Sequence, residues 1–124
     1  MSTKVDVLDE DYPINLRLVY NRPPFLFVRG DLRSDDDRAV AVVGTRQASD
    51  HGREQAARLA GDLAGHGVTV LSGLALGIDA AAQADTLDVG GRTVAVMGTG
   101  IQRVYPRENR DLAARILLST LTAA

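Results

Sequence analysis

The chain has 124 residues, 45% of them apolar and 24% charged, which is the balance of one soluble globular domain. It contains no cysteine, which excludes a disulfide framework, a thiolate metal site and a cysteine nucleophile and fits a reducing cytoplasm. A net charge of −2 argues against a nucleic-acid binder working by bulk positive charge, and no apolar run approaches the roughly 18 residues of a membrane span.

The charge is unevenly spread. Residues 1–37 carry a balance of −3, whereas residues 92–124 set Arg92, Arg103, Arg107, Arg110 and Arg115 against Glu108 and Asp111, which leaves a local anion-binding face open. All basic residues except Lys4 are arginine, so phosphate recognition here would be planar and bidentate, although genome base composition produces the same bias.

The first 38 residues read as an N-terminal extension. Met1–Tyr12 is acidic, with Asp6, Asp9, Glu10 and Asp11, and shows no apolar core segment. Tyr12–Asn21 reads as a short helix or turn bearing Leu16, Leu18 and Val19, stopped by Pro23-Pro24. Phe25–Arg29 reads as a strand ended by Gly30-Asp31, and Ser34–Arg38, with three consecutive aspartates, as a solvated loop.

From residue 39 to 124 three strand-turn-helix units follow. Ala39–Val43 leads through Gly44-Thr45-Arg46 to a helix capped by Ser49, with Ala56, Leu59, Ala60, Leu63 and Ala64 on one face. Val68–Leu71 leads through Ser72-Gly73-Leu74-Ala75-Leu76-Gly77 to a helix starting near Ile78-Asp79 and ending at Gly90-Gly91. Thr93–Met97 runs into Gly98-Thr99-Gly100, and a last helix from about Arg107 places Leu112, Ile116 and Leu117 at helical spacing. Strands without strict alternation, separated by helices, imply an α/β fold: a Rossmann-like parallel sheet with helices on both faces.

Right-handed crossovers bring the three glycine-bearing turns to one edge of that sheet, where helix N-termini favour an anion. Neither the dinucleotide fingerprint nor the phosphate loop of nucleotide triphosphatases is present. The candidate phosphate contacts are Gly44, Thr45 and Arg46 in the first turn, Ser72, Gly73, Gly77 and Asp79 in the second, and Gly98, Thr99 and Gly100 in the third. Each has a plainer reading: a surface ion pair for Arg46, turn capping for Ser72 and Thr99, and helix capping for Asp79 instead of contact with a ribose hydroxyl or base edge. His51 and His66 lack a partner at any spacing that would make a triad or a metal site, so no catalytic centre, metal or cofactor is expected.

Taken in order, Tyr12-Pro13, Pro23-Pro24-Phe25-Leu26-Phe27-Val28-Arg29-Gly30, Val42-Val43-Gly44-Thr45-Arg46, the run Ser72 to Ala82, Gly98-Thr99-Gly100 and Tyr105-Pro106-Arg107-Glu108-Asn109 resemble the motifs of the DNA-processing protein A family (DprA, also called Smf). The resemblance implies a Rossmann-like domain that is not an enzyme, binds single-stranded DNA and hands it to the RecA recombinase in natural transformation. It places the phosphate-contacting arginine on Arg46 and the glycine turns on Gly44, Gly73 and Gly98. The family's usual histidine is replaced here by Gln83, and an aspartate of its third turn by Gln102. The resemblance covers roughly the first half of the family domain, so an exposed sheet edge and self-association, or a completing partner chain, are expected. Two other readings remain: a nucleotide or nucleoside-phosphate binding protein, or enzyme, using the same edge, and a partner-dependent fragment that binds no ligand.

Overall fold

The computed structural model describes residues 2–98 and 107–122. The described residues form two sheets. In the first, β1 (Ser2–Asp6) pairs antiparallel with β2 (Phe25–Arg29), Lys4 opposite Phe27 and Val5 opposite Leu26. The strand β1 is an element that the sequence pattern does not place in the N-terminal extension. One valine suffices: Val5 is buried while the polar residues beside it stay outside, an alternation too short to stand out among the acids that follow. Between the strands lies the single turn α1 (Ile14–Arg17), and buried Tyr12 donates its hydroxyl to the Pro23 carbonyl at 2.7 Å, closing the excursion onto the proline pair that stops it.

The second sheet is parallel, with β3 (Ala39–Ala41), β4 (Thr69–Ser72) and β5 (Thr93–Ala95) side by side in that order. Val40 aligns with Val70, and Val70 with Thr93. The intervening helices are α2 (Asp50–Gly65) and α3 (Ile78–Asp88). A Ser49 oxygen accepts the Gly52 amide at 3.0 Å to start α2. Because β3, β4 and β5 are sequential neighbours, crossovers of one hand deliver α2 and α3 to the same face, where they pack against each other.

The core lies between that helical layer and the sheet. Val42 and Val70 meet Ala60 of α2 and Ala82 of α3, with Leu63 and Ile78 packed around them. Alanines let the helices approach the sheet closely, and α2 buries Ala56 and Ala60 while Leu59, at the margin of that stripe, is half exposed. On the opposite face, Val43 and Val96 are 68% and 64% exposed. A 3-10 turn at Arg107–Asn109 leads into α4 (Arg110–Thr122), which packs on α3 and β5 and buries Ile116.

The acidic segment departs from the solvated loop expected of it. Ser34–Asp37 forms a 3-10 turn in which Asp36 points inward, accepting Arg92 Nε and Nη2 at 2.8 Å each, the Thr69 hydroxyl at 3.0 Å and the Arg33 amide at 2.9 Å. Burial alone would raise the Asp36 pKa, but the Arg92 guanidinium, the Arg33 amide and the Thr69 hydroxyl together hold it below the ordinary carboxylate value. Charge complementarity, which linear spacing does not display, turns one of three adjacent aspartates into a clamp joining the first 38 residues to the starts of β4 and β5.

Candidate functional site

The first two glycine turns meet at the C-terminal edge of the parallel strands and are fastened to each other by the protein's own groups. Asp79, in the first turn of α3, is buried and bridges them: one carboxylate oxygen accepts the Gly44 amide at 3.3 Å and the other accepts the Gly73 amide at 3.0 Å. A helix N-terminus and two glycine amides form an anion site, and in this chain the anion they meet is Asp79. The Ile78 amide donates to the Thr45 carbonyl at 3.3 Å and the Ala80 amide to the Ala75 carbonyl at 3.0 Å, so these N–H groups of α3 are also used internally.

Two glycines permit this approach. Gly77 has φ +81°, and a Cβ there would collide with the carbonyl oxygens of Thr45 and Arg46. At Gly44 a Cβ would stand 2.7 Å from Ile78 Cγ1. The second turn thereby packs beneath the backbone of the first, which presents Thr45 and Arg46 to solvent. Thr45 Oγ1 accepts the Gln47 amide at 3.2 Å, and no hydrogen bond or ion pair holds the Arg46 guanidinium among the described residues.

A buried polar network supports the second turn. The Ser72 hydroxyl, 3% exposed, donates to the Val42 carbonyl at 2.6 Å and ties β4 to β3. Leu74 is a non-glycine residue at φ +59°, a conformation that costs on the order of 1 kcal/mol unless its surroundings impose it. They do: its amide donates to Gln83 Oε1 at 3.0 Å, its carbonyl accepts from Asn109 Nδ2 at 2.7 Å, and its side chain is buried. Gln83 Nε2 then donates to Thr93 Oγ1 at 3.0 Å and to the Val94 carbonyl at 3.3 Å, while the Thr93 hydroxyl donates to the Val70 carbonyl at 2.7 Å.

Sequence reasoning assigned no such role to Gln83 or Asn109. A signal was present: Asp79, Gln83 and Thr86 recur at i, i+4 and i+7 in a helix otherwise rich in alanine, which puts polar groups on the face turned toward the sheet. Asn109 has no comparable periodic signal. In the third turn Gly98 is exposed, with open space where a Cβ would stand. Thr99, Gly100 and Gln102 lie outside the described residues. His51 is exposed on α2, and His66, at the end of that helix, keeps its ring Nδ1 2.8 Å from the Asp62 carbonyl. Among the described residues, no group of three or more histidines and carboxylates is placed to hold a metal ion, and no helix is long and apolar enough to cross a membrane.

Parallel strands, small-residue helix contacts and turns gathered at one sheet edge define a Rossmann-like α/β module. Residues 4–123 match the family of DNA recombination-mediator protein A, and the chain belongs to that family. It is 41% identical over 112 residues to protein Smf of Synechocystis sp., covering 87% of this chain and 28% of the relative, and 40% identical over 106 residues to DNA processing protein DprA of Streptococcus pneumoniae, covering 86% and 37%. The chain thus spans about a third of the length of these curated relatives. Among solved structures it superposes on DNA processing protein A of Streptococcus pneumoniae with a TM-score of 0.84 at 38% identity, covering 92% of this chain and 40% of that one. DNA processing protein A of Helicobacter pylori, described for its single-stranded DNA binding mode, superposes with a TM-score of 0.80 at 26% identity, covering 94% and 52%.

Proposed function

We propose that this chain binds single-stranded DNA at the glycine-turn edge, with the Arg46 guanidinium pairing a backbone phosphate. Thr45 is its neighbour in contact, Gly44, Ser72, Gly73, Gly77 and Asp79 fix the turn that presents it, and Gly98, Thr99 and Gly100 are further phosphate contacts in this reading. The observation that carries the reading is Arg46 itself: exposed, without a partner among the described residues, and raised on a turn whose backbone is immobilised from below. Family membership and the Helicobacter pylori relative supply the polymer.

In this reading the chain acts in the cytoplasm, holds the strand for RecA during natural transformation, and performs no catalytic step. Fluorescence polarisation with labelled single- and double-stranded oligonucleotides at two salt concentrations tests it. Tighter binding of the single strand, weakening as salt rises through counterion release, is expected. Absence of binding at the lower salt by folded protein would overturn the reading. Self-association or a completing partner chain belongs to the same proposal, supported by exposed Val40 on the outer strand β3 and exposed Val43 just past it. Light scattering that finds a stable monomer at high concentration, melting cooperatively by itself, would overturn that part.

A further inference from the structure

The β1–β2 ribbon turns its aromatic side outward. β2 half-buries Leu26 and Val28 and exposes Phe25, Phe27 and Arg29 on the other face, the two rings being 43% and 57% exposed. The rings stand edge to face, with centroids 5.6 Å apart and planes at 81°. Across the ladder Lys4, the chain's only lysine, places its Nζ 5.3 Å from the Phe25 ring centroid, and Asp6 pairs with Phe25. An exposed ribbon face ordinarily carries polar residues. Here it carries two apolar rings among Lys4, Asp6 and Arg29, at the place where polar groups would cost nothing.

We propose that this face is a stacking platform for the bases of single-stranded DNA. A phenyl ring accepts any base through its π surface: Phe27 offers one directly, and the Lys4 ammonium, which stands over one face of Phe25, meets the neighbouring phosphate when a base takes that face, the combination by which unpaired strands are held without sequence preference. Two strands of five residues offer a face of about 17 Å by 10 Å. That is far below the roughly 800 Å² each partner of a stable protein pair buries, and it suits two or three stacked bases. Asp6 on the same face offsets part of the Lys4 charge, so stacking supplies most of the platform's binding and the Lys4–phosphate contact adds at most about 1 to the salt slope. Asp31, two residues past β2, is held through its carbonyl by Arg92 at the start of β5, which ties the ribbon to the sheet edge opposite Arg46. The platform rests on the single-stranded DNA reading for its ligand class and on a separate surface for its chemistry.

The test compares a thymidine oligonucleotide with an abasic one of equal length and charge. The parent chain binds the first roughly five-fold or more tightly, and Phe25→Leu/Phe27→Leu, folded by circular dichroism, loses that preference. Arg46→Ala weakens both oligonucleotides alike. A 5-iodouracil oligonucleotide crosslinks on irradiation to the peptide holding Phe25 and Phe27 in the parent chain, a readout that stands even where the double variant does not fold. Equal affinity of the parent for both oligonucleotides, or crosslinks confined to other peptides, would overturn the platform and leave the DNA reading intact. Binding of neither would overturn both. A dimer in the parent that the leucine variant dissolves would assign the face to a second copy and overturn the platform.

Discussion

The ribbon and the parallel sheet differ in how densely their polar groups are tied. Around β4 the interior is tied by polar groups: Asp79, Gln83, Thr93 and Asn109 are buried and each has its hydrogen bonds made, while the apolar filling is small, with Val70, Ala60 and Ala82 at its centre. The ribbon buries Val5 and turns its phenyl rings to water, and it is tied to the sheet by the Arg92–Asp36 clamp and the Arg92 bond to the Asp31 carbonyl. Buried polar networks tolerate no missing member, because an orphaned donor forfeits its water as well as its partner. A surface ribbon on a few ties can lose one and shift. The sheet edge is therefore built to hold a fixed shape, and the ribbon to adapt.

The sharpest break of this contrast is Asp79→Ala. It strands the Gly44 and Gly73 amides at once, and the expected loss is about 3 kcal/mol in urea denaturation, from two hydrogen bonds to a charged acceptor of roughly 1.5 kcal/mol each. Asp79→Asn recovers little, since its amide nitrogen would face one of the two donors. A loss below about 1 kcal/mol would show that the turns are held by packing alone.

Gln83→Met comes next. It fills a similar volume but leaves the Leu74 amide unpaired at a backbone conformation that needs support, for an expected loss of about 2 kcal/mol by the same measurement. Gln83→His keeps one acceptor and one donor in a single tautomer, and should be milder.

How far this contrast was legible in the sequence depended on whether a signal was periodic or pairwise. The strand Phe25–Arg29, the Ser49 cap, the start of α3 at Ile78 and the parallel order all followed from local pattern, and the structure reproduces them. The strand β1 did not, because five residues with one buried valine carry no periodicity beside an acidic run. Nor did the inward turn of Asp36, whose partner Arg92 is 56 positions away. At the glycine edge the sequence located the turns, while the destination of their amides depended on how closely Gly44 and Gly77 let α3 approach, a distance no spacing rule contains.

The clamp between the two regions supplies a pH test. Because the folded pKa of Asp36 is lowered, its stabilisation is complete above the unfolded value of about 3.8 and is lost as pH falls through the lower folded value. Parent protein should lose more stability than Asp36→Asn between pH 5 and pH 2, and Arg92→Ala at neutral pH should cost about 1 kcal/mol. Parallel acid curves for parent and Asp36→Asn would show that the ionised Asp36 carboxylate adds no stability to the clamp.

The smallest expected effect on the fold is the largest on the proposed function. The exposed Arg46 side chain has no hydrogen bond or ion pair among the described residues, so Arg46→Ala should leave the denaturation midpoint unchanged within about 0.5 kcal/mol. If its guanidinium neutralises one phosphate, the same substitution lowers the slope of log affinity against log salt by about 1 and weakens binding alike across sequences. Arg46→Lys separates geometry from charge: it keeps the salt slope and loses the bidentate fit, so affinity falls between parent and alanine variant. A rigid edge presenting one adjustable cation predicts that ordering. Equal affinity in all three proteins would make the first turn a packing device, and the contrast between the regions would then concern stability alone.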